Sequence, residues 1–175
     1  MNTFPADLLT PVAESLKPKK IEYPETDGQP MAETDIHRDL MLALLFALKE
    51  RYRAAPDVYV AGNLLLYYEE GNPAVSVAPD VFVVFGAAKK NRRVYKLWEE
   101  GQPPRVVIEL SSRSTQTDDT GRKRALYQEL GVQEYFLFDP LGEYLRPSLQ
   151  GFSREDDLFV TLLPESLPDK EWKLT

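Results

Sequence analysis

The 175-residue chain predicts an α/β protein of the α+β kind: a mixed β-sheet flanked by helices, with an N-terminal helix and an antiparallel meander. Three observations carry this. An amphipathic pattern covers residues 36–54, short β-branched and aromatic runs separated by turn signals fill 58–85, and a strand–helix–strand pattern spans 105–139. The last implies a crossover joining two parallel, adjacent strands. The length suits one domain, with 1–33 as an irregular N-terminal arm and 34–175 as the domain.

Taken in order, Pro5, Pro11, Pro18, Pro24 and Pro30 break any regular element in the arm. Asp35 is read as the cap of a helix starting at Ile36. Ile36, Leu40, Leu44 and Leu48 recur at a four-residue step, Met41, Leu45 and Phe46 widen the stripe, and Pro56 ends the helix. Val58 to Val60, Leu64 to Tyr68, Val75 to Val77 and Val81 to Phe85 follow as strands, with Gly62-Asn63 and Gly71-Asn72-Pro73 turning the chain. Lys89 to Glu100 reads as a short amphipathic helix or loop, closed by Gly101 and Pro103-Pro104.

Arg105 to Leu110 is a strand whose nearly continuous apolar run suits cover on both faces. A loop from Ser111 to Thr117 leads into a helix over Asp118 to Leu130, ended by Gly131 in a left-handed turn. Glu134 to Asp139 is the next strand, Pro140 and Gly142 turn the chain, and a hairpin over Tyr144 to Leu163 completes it.

Composition excludes several classes. A hydrophobic content of 43% with 28% charged residues argues against wholesale disorder. No apolar run approaches the roughly 20 residues of a membrane span. The first residues, with Asp7, Glu14 and several prolines, lack the basic start and apolar block of a secretory signal, so a cytoplasmic protein is expected. Without cysteine there is no disulfide, thiolate zinc site or cysteine nucleophile. The net charge of −7 opposes binding of nucleic acid by bulk electrostatics. Its distribution is uneven, however: Lys89, Lys90, Arg92, Arg93 and Lys96 share one segment, and Arg122, Lys123 and Arg124 form a second group. With Tyr95 and Trp98 interleaved, the first segment reads either as a nucleic-acid contact by charge and stacking or as a packed helix with a solvated basic face.

The chemistry gathers at Asp80, Glu109 and Lys123. A carboxylate before Val81-Phe82-Val83-Val84-Phe85 and another at the end of Arg105-Val106-Val107-Ile108 each sit where a buried strand meets solvent. Brought onto neighbouring strands, they supply the hard oxygen pair that Mg²⁺ takes together with water and phosphate. Lys123, on the following helix, would orient or deprotonate a water, or neutralise phosphate charge. The same residues also read as a turn, a solvated strand end and a surface ion pair at a four-residue step with Asp119, followed by Tyr127 as a packed ring.

The ordered series Pro79-Asp80-Val81, Val107-Ile108-Glu109, Ser112, Ser114-Thr115, Asp119, Lys123, Tyr127, Gly131-Val132-Gln133-Glu134-Tyr135 and Asp139-Pro140 resembles the Uma2 family of endonuclease-like domains, over roughly residues 30 to 165. That resemblance implies the restriction-endonuclease-like fold of the PD-(D/E)XK nucleases. It makes Asp80 and Glu109 the metal carboxylates, the Leu110 main-chain carbonyl a further ligand, and Mg²⁺ or Mn²⁺ the cofactor. The lysine usual two residues after the second acid is absent, the position being Ser111, and Lys123 takes its place from the helix.

Supporting positions follow. Glu33 and His37, one helical turn apart, would face the site if the first helix packs at the sheet edge; a solvated or capping histidine is the alternative. Gln116 and Asp119 would serve an outer layer or the helix start, with Asp119 favourable to the helix dipole. Tyr127 is expected to face the core with its hydroxyl at the site rim. The resulting expectation is a metal-dependent endonuclease that hydrolyses DNA phosphodiesters as a homodimer, with no membrane association. Two alternatives stand beside it: a catalytically weak nucleic-acid-binding or regulatory module of the same fold, and a metal hydrolase of small phosphoesters.

Overall fold

The computed structural model describes residues 21–26, 28 and 34–162. The remainder of the arm, including Glu33, and the stretch from 163 onward lie outside the described residues. Helix α1 spans Asp35–Arg51, and its cap is Thr34 rather than Asp35: the Thr34 hydroxyl accepts the His37 amide at 3.3 Å. Asp35 falls instead in the first turn, where a carboxylate favours the helix dipole. A four-residue step drifts around a 3.6-residue turn, so the stripe does not begin at Ile36. Ile36 is 48% exposed and Phe46 67%, whereas His37 is buried, and Leu45, Leu48 and Tyr52 pack on Val58, Val60 and Val83.

The main sheet has six strands in the order β1-β4-β6-β7-β8-β9. These are β1 (Val58–Ala61), β4 (Val81–Phe85), β6 (Val106–Leu110), β7 (Glu134–Phe138), β8 (Leu149–Glu155) and β9 (Leu158–Thr161). All neighbours are antiparallel except β6 and β7, whose parallel pairing is the one expected of a strand–helix–strand unit.

The expected meander is not one continuous ladder. β1 pairs directly with β4, while β2 (Leu66–Tyr67) and β3 (Ser76–Val77) leave the sheet and form a second one with β5 (Tyr95–Lys96), in the order β3-β2-β5. The diversion starts at Gly62-Asn63. Asn63 adopts φ 47°, and its amide donates to the carbonyls of Pro79 and Asp80 at 3.0 and 3.2 Å. A Cβ on Gly62 would lie 2.5 Å from the Asp80 carbonyl oxygen, so only glycine permits this approach. Within Lys89 to Glu100 only Leu97–Glu100 is helical, as α2.

The core lies between the sheets and the crossover helix, around Phe82, Tyr95, Val107, Tyr127, Tyr135 and Leu137. On β6, Val107, Glu109 and Leu110 are buried but Val106 and Ile108 only partly so; its second face is less covered than the apolar run suggested. The described arm residues run against the small sheet. The Tyr23 ring packs on Tyr67 and Trp98, the Tyr67 hydroxyl donates to the Pro24 carbonyl, and Tyr23 accepts the Gly71 amide.

Candidate active site

The register of the central strands sets the site. Val81 stands opposite Ile108, and continuing that antiparallel register by one residue puts Asp80 opposite Glu109. The two then exchange bonds between side chain and backbone: the Leu110 amide donates to Asp80 Oδ2 at 2.7 Å, and the Asp80 amide lies 3.4 Å from Glu109 Oε2. Strand ends are natural places for this, because backbone donors there have run out of ladder partners.

The third wall is the crossover helix. α3 (Gln116–Asp118) passes into a π-helical stretch (Asp119–Lys123) and then into α4 (Arg124–Glu129). Such π stretches loosen the helical repeat locally and recur at functional sites. Here the stretch carries Asp119 and Lys123, with Tyr127 beyond it, all facing the sheet. The Lys123 ammonium lies 3.1 Å from Glu109 Oε2 and 2.9 Å from Asp119 Oδ1, and the Tyr127 hydroxyl donates to Glu109 Oε1 at 2.5 Å. Asp119 is fixed twice more, accepting the Ser111 hydroxyl at Oδ2 and the Tyr135 hydroxyl at its main-chain carbonyl.

Glu109 is fully buried, and burial pushes its carboxyl up to about 8; Asp80 and Asp119 add to the rise, while Lys123 and the Tyr127 hydroxyl oppose it. Burial alone would lower the Lys123 ammonium, but Glu109 and Asp119 overcome it and hold Lys123 above its ordinary value. The lysine is therefore a permanent charge and donor. Burial raises Tyr127 well above its ordinary value, reinforced by Glu109, so its hydroxyl stays a donor. Three carboxylates, Asp80, Glu109 and Asp119, thus share one ammonium.

The group opens onto a cleft of about 610 Å³. Asp80 and Lys123 meet it at the base, and loops following β6 and β7 border it. The first includes Ser111 to Thr115, the second Pro140, Leu141 and Tyr144. Asp139 builds the second loop: its carboxylate accepts the amides of Leu141, Gly142, Tyr144 and Leu145. Burial works to raise that carboxyl, and the four amides outweigh it and hold it below the usual range.

Asp80, Glu109, Lys123, Asp119 and Tyr127 therefore converge. His37 joins them from the first turn of α1, its Nε2 3.5 Å from Asp80 Oδ1. Leu110 contributes its amide to Asp80. Gln116 offers its carbonyl to the Thr120 hydroxyl and does not line the cleft. Glu33 lies outside the described residues.

The basic segment goes elsewhere, beside β1 and the end of α1. Lys89 donates to the carbonyls of Tyr52 and Arg53, Lys90 pairs with Glu100, and Arg93 with Glu25. Arg92 turns inward: its side chain is 3% exposed, pairs with both Glu100 oxygens and lies 4.0 Å over the Tyr59 ring. Its charge is thus paired within the fold. Arg113, Tyr144 and the Asp139 clamp escaped the sequence reading. Only Asp139-Pro140 followed by Gly142 hinted at an Asp-bonded turn.

Comparison with known proteins points the same way. The model of the Uma2 family, “Putative restriction endonuclease”, matches residues 12–170, beginning within the arm. A crystal structure of “a putative nuclease belonging to DUF820” from Anabaena variabilis superposes with a TM-score of 0.55 at 13% identity, covering 79% of this chain and 74% of the other. That likeness is one of fold. No curated protein matches the chain.

Proposed function

Because this chain belongs to the Uma2 family, we propose that it is a divalent-metal-dependent endonuclease that hydrolyses DNA phosphodiesters with Asp80, Glu109 and Lys123. The observation that carries the reading is the meeting of these three residues from two strand ends and one helix, Asp80 and Lys123 lining the cleft and Glu109 buried directly behind them.

The donor set fits Mg²⁺ or Mn²⁺. Among the described residues no group of three or more His, Cys, Asp or Glu forms a metal cage, but Mg²⁺ is commonly held by one or two carboxylates with water and phosphate completing its shell. Asp80 and Glu109 are that pair. Burial favours the proton on Glu109, and a dication held at this pair would displace it. The Leu110 carbonyl, on the residue whose amide already meets Asp80, is the nearest main-chain candidate. When bound, the ion lowers the pKa of water and polarises the phosphodiester.

The chain's own residues do the rest. Lys123, held protonated, donates to the phosphate or to the attacking water and offsets the charge that develops as water adds to phosphorus and the P–O bond to the leaving oxygen breaks. Tyr127 and Asp119 fix Glu109 and Lys123 in place. His37 lies against Asp80 and orients it. A homodimer remains the expected unit; Leu42 and Phe46, 39% and 67% exposed on α1, offer apolar surface for it.

The test is cleavage of plasmid and of single-stranded DNA with Mg²⁺ or Mn²⁺ by wild type, Asp80→Ala and Glu109→Gln. Metal-dependent cleavage lost in both variants supports the reading. DNA retention without turnover would favour the binding module, and turnover of small phosphoesters unaffected by DNA the third class.

A further inference from the structure

We propose that Arg113 and Tyr144 form the substrate subsite of this cleft, Arg113 holding a backbone phosphate and Tyr144 stacking the adjoining unpaired base. The inference rests on the phosphodiester reading and narrows it to a strand whose bases are unpaired at the cut.

The argument starts from charge. A phosphodiester entering the cleft brings a negative charge toward Asp80, with the carboxyl groups of Glu109 and Asp119 buried behind it. Lys123 is already shared between Glu109 and Asp119, and His37 lies against Asp80. Arg113, which also lines the cleft, is exposed and carries no carboxylate partner among the described residues. Its planar guanidinium presents paired donors that match two phosphate oxygens.

Its root is held. The Ser112 amide donates to the Thr115 hydroxyl at 3.0 Å, and the Ser112 hydroxyl lies 3.1 and 3.2 Å from those of Ser114 and Thr115. Tyr144 is held from the other loop, its amide donating to the buried Asp139 carboxylate at 2.5 Å. The two side chains line the same cleft, where the Glu143 hydrogen bond raises the Tyr144 hydroxyl and the Arg113 charge works against it. A partly exposed ring on a braced loop, in one cleft with a guanidinium that has no carboxylate partner among the described residues, has the two parts that single-strand sites use, a cation for the backbone and a π-face for the base. Within a duplex the faces of each base are covered by its stacked neighbours, so none is free for that ring.

The experiment is fluorescence anisotropy with a fluorescein-labelled 12-mer of single-stranded DNA and with the same sequence as a duplex, in Ca²⁺, across a salt series. Cleavage is assayed separately in Mg²⁺. Arg113→Ala is expected to weaken single-strand binding about tenfold and to reduce the slope of log K against log salt by about 0.7. Tyr144→Ala is expected to cost about tenfold and Tyr144→Phe little, since the ring and not the hydroxyl stacks. Duplex should bind more weakly than single strand, and thermal melting should be unchanged in all three variants because both side chains project from loops.

Wild-type affinity and salt slope in Arg113→Ala, single-strand affinity unchanged in Tyr144→Ala, duplex bound as tightly as single strand, or no binding by wild type would each overturn the subsite. Binding that depends on both residues without cleavage in Mg²⁺ would sustain the subsite and sink the endonuclease reading; cleavage that ignores both residues would do the reverse.

Discussion

The Lys123 ammonium lies 3.1 Å from Glu109 Oε2, although one belongs to the crossover helix and the other to the strand before it. Ser111, where a lysine next to the second acid would stand, is 1% exposed and gives its hydroxyl to Asp119 instead. A lysine there would have to bury its ammonium against the helix that already supplies one. The cation beside Glu109 comes from the helix.

Lys123→Ala should therefore be costly before any substrate is considered. Removing one partner of a buried pair leaves the other charge uncompensated, and here Asp119 loses its cation while Glu109 loses the neighbour that opposes its protonation. A loss of about 3 kcal/mol in urea denaturation at pH 7 is expected. Full stability in this variant would mean the lysine is solvated and only incidentally near the carboxylates.

Tyr127→Phe isolates the second donor to Glu109. The hydroxyl bonds Oε1 at 2.5 Å and works to lower the Glu109 carboxyl, so its loss should destabilise the fold by about 1.5 kcal/mol and move the pH midpoint of Mn²⁺ binding upward. Urea denaturation reads the first and calorimetric titration of Mn²⁺ at several pH values the second. A midpoint that moves down would contradict the assigned direction.

The buried Glu109 also gives stability a pH dependence of unusual sign for a carboxylate. Its folded value, about 8, exceeds the ordinary 4.5, so between these values the folded state holds the proton more tightly than the unfolded chain. This group's contribution therefore falls as pH rises from 4.5 to 8. Glu109→Gln cannot ionise, so its melting temperature relative to wild type should climb from pH 5 to pH 8.5. A constant difference across that range would show Glu109 ionised throughout.

How much of this was legible follows from what each signal encodes. Strand and helix identities from Val81 to Phe138 were readable because period and punctuation are local: Val106-Val107-Ile108 reads as a strand, and Gly131, at φ 84°, ends the helix. Pairing is not local, so β2 and β3 passed for rungs of one meander when they form a separate sheet with β5. Asp80, Glu109, Lys123 and Tyr127 were singled out through an ordered pattern, and the structure brings them together. Arg113 and Tyr144 carry no pattern of their own; they meet only because β6 and β7 are adjacent and parallel. Arg92 misled for a related reason, since sequence gives a charge but not the direction it faces.

Arg92 supplies the last prediction. It pairs with both oxygens of Glu100 at 2.8 and 2.7 Å, and this hydrogen bonding, against a smaller opposing effect of burial and aided by Lys90, pulls the Glu100 carboxyl down to about 2. A depressed carboxyl stabilises the fold above its unfolded value near 4.5, and that stability is lost as pH falls toward 2. The pair is shielded from water, with side-chain exposures of 3% and 14%, so the linked stability is on the order of 3 kcal/mol at pH 7. Arg92→Ala should lose about that much at pH 7 and progressively less below pH 4, while single-strand binding at 20 °C and pH 7 stays at the wild-type value. The guanidinium over Tyr59 cannot turn outward to a phosphate without leaving Glu100 behind in a largely buried pocket. A folded Arg92→Ala protein with weakened DNA binding would show that the pair opens in the complex, and would return this segment to the nucleic-acid interface.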